Sequence, residues 1–482
     1  MPKYVIVGNS AGGIGAVEAI REVDPHGSIA VVSDEPTLAY SRPGIAEIIS
    51  GSKSVERITY RDEDFYRRLR LDTYFGCPVV AIDPARNRVH LENGASLEFE
   101  RLLLATGGTP IRPPMEGADR AGVYSFTTLA DALALKDRLE KMSPHPAFGT
   151  PLPQSGRGAG GEGSHGPRVL VIGAGLIGAA CSDALVRMGA RPVVVELRDR
   201  PLNLLLDEPG SELARRAMAK AGVELICNAT VSRVLGRPED DGSVGGAVLA
   251  DGRRIECDAV VVAVGVRPRM QLAADAGLRV NRGVVVDQKM EASAPGVYAC
   301  GDVAEAYDCV YGGNRVVPIW PGAYRGGRVA GLNMAGRTAL FDDATVMNSL
   351  KYFGMSLVSA GEINVDGLDG YETLRRLDLD GLERGRYRKV VLKDNRVVGF
   401  VFAGDVERSG IHNWLLRARV DVGPFKEKLL DESFDLIDLP AELRRAHYGE
   451  ATVSRAQRQL AWGRPVGHAA APRTNGGING GH

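Results

Sequence analysis

Two short stretches of this chain carry residues of the types and spacing needed to hold a phosphate. One is "VIVGNSAGGIGAVEAIRE" at 5–22; the other is "VLVIGAGLIGAACSDALVR" at 169–187. In the second, Gly173, Gly175 and Gly178 stand at G-x-G-x-x-G spacing around Leu176 and Ile177, and Glu196 ends the next apolar run. A turn of this kind lets backbone N–H groups approach a pyrophosphate at a helix N-terminus. An acid ending the next strand accepts hydrogen bonds from ribose hydroxyls. The order strand, turn, helix, strand, acid predicts a dinucleotide site. In the first stretch Gly8 and Gly13 keep the outer positions, Ser10 takes the middle one, and Ala11 and Gly12 follow. Serine is small enough to let a phosphate approach. The acid after its second strand is Asp34 or Glu35.

Three more stretches fit the same chemistry. "LLLATGG" (102–108) is a strand ending in small residues, Ala105, Thr106 and Gly107, able to lie against a cofactor. "VVVAVGVRP" (260–268) is its counterpart, with Val264 and Gly265 at its end. "GVYACGD" (296–302) ends in Gly301 and Asp302, a carboxylate placed to accept hydrogen bonds from a ribityl chain. Two such sites can hold one nicotinamide and one flavin, so that hydride enters as a pair and electrons leave toward an acceptor. Glu196 favours NADH over NADPH, because an acid there repels a 2′-phosphate; Arg198 and Arg200, close behind, could reach such a phosphate.

Hydrophobic periodicity supplies the elements that position these residues. Lys3 to Gly8 and Ser28 to Ser33 read as strands around a helix from Gly12 to Val23. Val79 to Leu91 and Leu97 to Ala105 read as further strands. The second unit has strands at Arg168 to Ile172 and Pro192 to Glu196 around a helix from Leu176 to Met188. Val223 to Leu235, Ala247 to Leu249 and Ala259 to Val264 continue its sheet, and a helix covers Tyr324 to Ala335. "RKVVLKDNRVVGFVFAGD" (388–405) reads as a hairpin turning at Asp394–Asn395 in an antiparallel α+β region. The Pro/Gly/Ser-rich segment 142–167 reads as a mobile surface insertion, and the Gly-rich tail as disordered.

Composition narrows the class. The 482 residues are 44% hydrophobic and 25% charged, with a net charge of −1, which suits a multidomain globular chain and gives no bulk attraction for nucleic acid. No apolar run approaches the roughly 20 residues of a bilayer span. Six scattered cysteines show no C-x-x-C and no metal-ligand spacing, which points to reduced thiols and a cytoplasmic location, with no metal site.

Together these motifs resemble the pyridine nucleotide-disulfide oxidoreductases, two-dinucleotide flavoproteins, over about residues 3 to 440. "SDEPTLAYSRP" (33–43) is similar to the branch holding rubredoxin and ferredoxin reductases, the flavin part of NADH-nitrite reductase and apoptosis-inducing-factor-like proteins. The resemblance implies an α/β fold: two Rossmann-like three-layer dinucleotide-binding domains, for FAD and, inserted, for NAD, plus a C-terminal α+β interface domain. The implied boundaries are 1–115 and 288–342 for FAD, 116–287 for NAD, 343–447 for the C-terminal domain and 448–482 for the tail. It implies that Asp34 binds the adenosine ribose of FAD, that Arg42, followed by Pro43, meets the pyrophosphate, that the backbone of Val80 contacts adenine and that Asp302 holds the ribityl chain. "PIWPGAYRGGRVAGLNMAG" (318–336) resembles the helix at the flavin's pyrimidine end, with Trp320 and Ala323 nearest the ring.

The departures are as informative. Disulfide reductases carry Cys-x4-Cys on the first long helix; here that region is "AYSRPGIAEIISG" and the first cysteine is Cys77. Dithiol relay is therefore not expected, and Cys181 and Cys300 read as packing residues. His412 and His447 read as structural. Where the ferredoxin-reductase branch pairs a lysine with a glutamate beside flavin N5, this chain has Glu47 and Ala180. The resemblance thus places an unpaired Glu47 near N5, lowering the flavin's potential. The implied activity is FAD-dependent electron transfer between NADH and an iron–sulfur protein or subunit, as a homodimer or within a hetero-oligomer. The alternatives are an oxygen-using NADH oxidase and an NADH-sensing flavoprotein.

Overall fold

The computed structural model describes residues 2–142, 166–240, 242–378 and 385–449. Most of the 142–167 insertion, and the tail beyond 449, lie outside the described residues.

Tyr4–Val7 is fully apolar and forms the middle strand of an all-parallel five-stranded sheet, in the order Val297–Ala299, Arg101–Leu104, Tyr4–Val7, Ile29–Ser33, Leu71–Phe75. A second parallel sheet repeats the layout around Arg168–Ile172: Glu224–Ile226 and Arg191–Val195 on one side, Ala259–Val262 and Val123–Ser125 on the other. The outermost strand comes late in the chain in the first sheet and early in the second. The central strands of both sheets are continuous β-branched and aliphatic runs, as expected of strands covered on both faces.

Each sheet is the middle of three layers. In the first, Ala11–Val23 and Trp320–Met334 cover one face, and a small antiparallel sheet of Val79–Asp83, Arg88–Leu91 and Ser96–Glu98 packs into the same core through Ile82, Val89 and Leu97. In the second, Val169, Val171 and Val261 face the helices Leu129–Met142 and Leu176–Met188. Their neighbours Leu170, Ile172 and Val260 face the antiparallel strands Val231–Gly236, Val244–Leu249 and Arg254–Glu256. The period of two sends alternate residues to opposite cores.

Two elements read as single strands are split. Val79 to Leu91 is a hairpin whose turn includes Asn87 at φ +50°, and Val223 to Leu235 breaks at Asn228, φ +54°. Asparagine tolerates this left-handed region and ends a strand without glycine. The expected hairpin forms between Arg386–Lys393 and Arg396–Ala403, with Asp394 and Asn395 both at positive φ, the signature of a type I′ turn. It belongs to a five-stranded antiparallel sheet with Met347–Tyr352, Met355–Gly361 and Tyr371–Asp378, backed by the helix Ser409–Ala418.

The chain passes between the two parallel-sheet lobes twice, through Gly108–Pro110 and Val266–Pro268, which pair antiparallel. The C-terminal sheet packs on the second lobe: Leu357, Tyr387 and Val401 share a core with Leu202, Leu206, Leu213 and Ala179. Residues 435–449 form a separate unit with a short turn, Leu436–Asp438, closed by reciprocal hydrogen bonds between Asp435 and Asp438. Among the described residues no helix is long and apolar enough to cross a membrane.

Candidate functional site

Both glycine turns are built alike. Gly8 has φ +124° and Gly173 φ +103°, a region that side-chain-bearing residues rarely adopt. A Cβ on Gly13 would lie 1.9 Å from the Gly8 carbonyl oxygen, and one on Gly178 would lie 1.9 Å from that of Gly173. The third glycine of each motif therefore lets helix and strand touch, and neither lines the groove. The middle position is different. A Cβ on Gly175 would meet nothing within 4 Å, so the space over that turn is open for a ligand. Ser10 is the N-cap of Ala11–Val23, yet its hydroxyl makes no capping bond.

The two turns face one continuous groove of about 2140 Å³. It lies at the carboxyl ends of the strands, where the direction of sheet growth reverses and open α/β sheets bind ligands. Gly8, Ser10, Ala11, Gly12, Asp34, Glu35, Arg42, Pro43, Ala105, Thr106, Gly107, Gly301, Asp302, Trp320 and Ala323 line it from the first lobe. Gly173, Gly175, Leu176, Ile177, Glu196, Val264 and Gly265 line it from the second.

Val80 and Glu47 also lie off the groove wall. Val80 is 56% exposed and stands off the wall, where Pro78 and Val79 stand instead; neighbours on a strand point to opposite faces. Glu47 is not unpaired. Its carboxylate meets the Lys53 ammonium at 2.5 Å, and Ile45 and Ala46 form that part of the wall with Ala180. The helix carrying Glu47 is only five residues long, Ile45–Ile49, so the chain beyond it brings Lys53 back.

The acids of the first lobe are already engaged. Glu35 accepts from the Tyr40 hydroxyl at 2.7 Å and pairs with Arg42, whose Nη1 also donates to the Thr127 carbonyl at 2.9 Å. A guanidinium has five N–H groups, so Arg42 keeps donors for a phosphate. Asp34 pairs at 2.5 Å with Arg269, which also donates to Thr109 at 3.0 Å. Burial raises the pKa of Asp302, and the Arg42 charge opposes that shift. In the second lobe Glu196 is 8% exposed; its two oxygens accept from the backbone N–H of Ala174 at 2.7 Å and of Arg198 at 2.8 Å. Each oxygen keeps a lone pair for a ribose hydroxyl. Arg200 instead pairs with Asp199.

Trp320 is 36% exposed, stacked on Tyr324 at 5.9 Å and edge-on to Tyr60 at 5.7 Å. Of the cysteines, Cys300 alone reaches the groove wall among the described residues. It is fully buried against Gly12, and burial pushes its thiol up to about 12. Cys181 is equally buried and its pKa is also raised. His412 lies in the C-terminal module, where its Nε2–H donates to the Leu429 carbonyl at 2.8 Å among Phe400, Phe402 and Phe434. Among the described residues no cluster of His, Cys, Asp and Glu is suited to a metal ion.

Sequence reasoning missed Tyr40, Thr127 and Arg269, which hold the acids and Arg42. It also missed the wall contributed by the C-terminal sheet, including Glu362, Asn364 and Tyr371. Arg269 directly follows the "GVRP" end of the second crossing, the one sequence cue that it sits where the two lobes meet.

Comparison with known proteins agrees with this architecture. The pyridine nucleotide-disulphide oxidoreductase family model matches residues 2–327, and the rubredoxin NAD+ reductase C-terminal domain model matches 347–418. The chain is 31% identical over 431 residues to the epsilon subunit of NADH-dependent phenylglyoxylate dehydrogenase of Aromatoleum evansii, covering 89% of this chain and 94% of that protein. It is 26% identical to the assimilatory nitrate reductase electron transfer subunit of Bacillus subtilis, over 89% of this chain; there it spans only 51% of the relative. The covalent complex of putidaredoxin reductase with putidaredoxin shares the fold, with a TM-score of 0.76 at 23% identity over 90% of this chain and 96% of that one.

Proposed function

The chain belongs to the pyridine nucleotide-disulphide oxidoreductase family, and on that premise we propose that it is an FAD-dependent NADH:acceptor oxidoreductase serving an iron–sulfur protein or subunit. One observation carries the reading: two dinucleotide-type turns open onto a single groove whose wall, among the described residues, offers no accessible thiol. The first turn holds FAD. Gly8, Ser10 and the N-terminus of Ala11–Val23 take its pyrophosphate with Arg42, and Asp302 takes its ribityl hydroxyls. Ala105, Thr106 and Gly107 form the floor, and Trp320 and Ala323 stand at the ring end. The second turn holds NADH, with Gly175 under the pyrophosphate and Glu196 on the adenosine ribose. Glu196 repels a 2′-phosphate, which sets the preference for NADH. The bound flavin supplies the hydride acceptance and the one-electron release; the chain supplies alignment and exclusion of water. An iron–sulfur acceptor is supported by the match of 347–418 to a rubredoxin reductase C-terminal domain.

The test is anaerobic. NADH should bleach the flavin of the purified protein with near-stoichiometric equivalence, and adding a ferredoxin or rubredoxin should restore the colour within seconds. A protein that takes up no FAD ends the reading. Oxygen consumption as fast as acceptor reduction turns it to an NADH oxidase. A long-lived reduced complex that no acceptor discharges turns it to an NADH sensor.

A further inference from the structure

A charged pair sits where charges are costly, at the junction of the second lobe and the C-terminal sheet. Lys389 is wholly buried, and its Nζ donates to Asp207 at 2.9 Å and to the Ile363 carbonyl at 2.7 Å. Asp207 is 2% exposed, and the same carboxylate oxygen accepts from the Tyr387 hydroxyl at 2.6 Å. Arg375 approaches that oxygen at 3.9 Å, and Asp366 approaches Lys389 at 3.5 Å. Apolar residues of similar volume usually stabilise such a junction as well as a buried ion pair does, so its distinctive contribution is a fixed geometry.

What it fixes is on the groove. Asp207 ends the segment 196–206, which supplies Glu196, Leu197, Arg198 and Leu204 to the groove wall. Its other carboxylate oxygen caps the helix Glu208–Lys220 at Gly210. The segment is tightly bent, with Leu202 at φ +54° and its N–H on the carbonyl of Ala174 within the glycine turn. The C-terminal sheet holds it a second time, where Asn364 donates to the Asn203 carbonyl at 2.9 Å.

We propose that Lys389 is a positioning residue for the nicotinamide-nucleotide site, acting through Asp207 on the lip at 196–206. The C-terminal module thereby sets affinity for the electron donor. This rests on the reading that the second glycine turn holds NADH.

The test uses the full-length, FAD-loaded protein with NADH and ferricyanide. Lys389→Met should raise KM for NADH about tenfold, and Tyr387→Phe, which removes one hydrogen bond and no packing, about threefold. Turnover at saturating NADH, flavin stoichiometry and flavin absorption should stay at wild-type values. Adding Asp207→Asn to Lys389→Met, which removes the orphaned charge and keeps a helix cap, should recover most of the loss. If Lys389→Met does not fold, Tyr387→Phe decides alone. A wild-type KM in the folded variants overturns the proposal, as does a KM rise that comes only with loss of flavin. Wild-type flavin that NADH fails to reduce would instead remove the underlying reading of the second turn.

Discussion

Glu196 is a buried carboxylate whose aim is fixed by backbone N–H groups, one oxygen accepting from Ala174 in the glycine turn and the other from Arg198. Glu196→Gln keeps the shape and removes the charge. It should raise KM for NADH several-fold and cut the NADH-to-NADPH ratio of kcat/KM by about tenfold, read from initial rates with both nucleotides. At Cys300 the expectation is the opposite. Its thiol is buried and its pKa is pushed up to about 12, so Cys300→Ser and treatment with an alkylating reagent should both leave NADH-to-dye turnover within about twofold of wild type. A loss of turnover beyond tenfold would mean that sulfur takes part. At this scale Glu196 was legible because strand, turn and acid fall at fixed separations. The partner of Glu47 was not legible, because Lys53 returns to it only after a short helix ends.

The contact between Ala11–Val23 and Trp320–Met334 is made by backbone. A Cβ on Gly331 would stand 2.5 Å from the carbonyl oxygen of Ala16, and one on Gly327 would stand 1.9 Å from that of Gly12. Because Ala11–Val23 begins at the first glycine turn and Trp320–Met334 begins at Trp320, spreading them disturbs both ends of the first-lobe groove. Gly331→Val should cost about 1–3 kcal/mol and lower the melting temperature by several degrees. Purified protein should also carry less flavin, measured as the ratio of absorbance at 450 and 280 nm. The helices themselves were legible from periodicity, and the C-terminal hairpin from its Asp-Asn pair. The splits at Asn87 and Asn228 were not, since a lone asparagine in an apolar run leaves hydrophobic alternation almost undisturbed.

The whole chain has an acid weakness in its C-terminal module. Burial among three phenylalanine rings holds His412 down at about 4, against an ordinary value of 6.5. The unfolded chain takes up that proton below pH 6.5, and the folded one only near pH 4. The contribution of His412 is therefore complete above pH 6.5 and shrinks as pH falls toward 4, by up to about 3 kcal/mol. The urea midpoint should fall across that window, and His412→Phe should flatten the fall; an unchanged acid limb in the variant would assign it to other groups. The two-lobed plan was legible because each lobe announces itself with its own turn. The C-terminal share of the groove was not, since Glu362, Asn364 and Tyr371 reach the wall only through docking of that sheet on the second lobe.

The adjacent crossings, Gly108–Pro110 and Val266–Pro268, carry a consequence for how such chains can be rebuilt. They bring both ends of the middle lobe side by side, so that it behaves as a cassette plugged in at one socket. A donor cassette with a different taste in nucleotide can be spliced there without rethreading the rest of the polypeptide, provided it brings an acid to meet Lys389. Exchange of fuel then requires only two cuts in the gene, at places the fold has already drawn together.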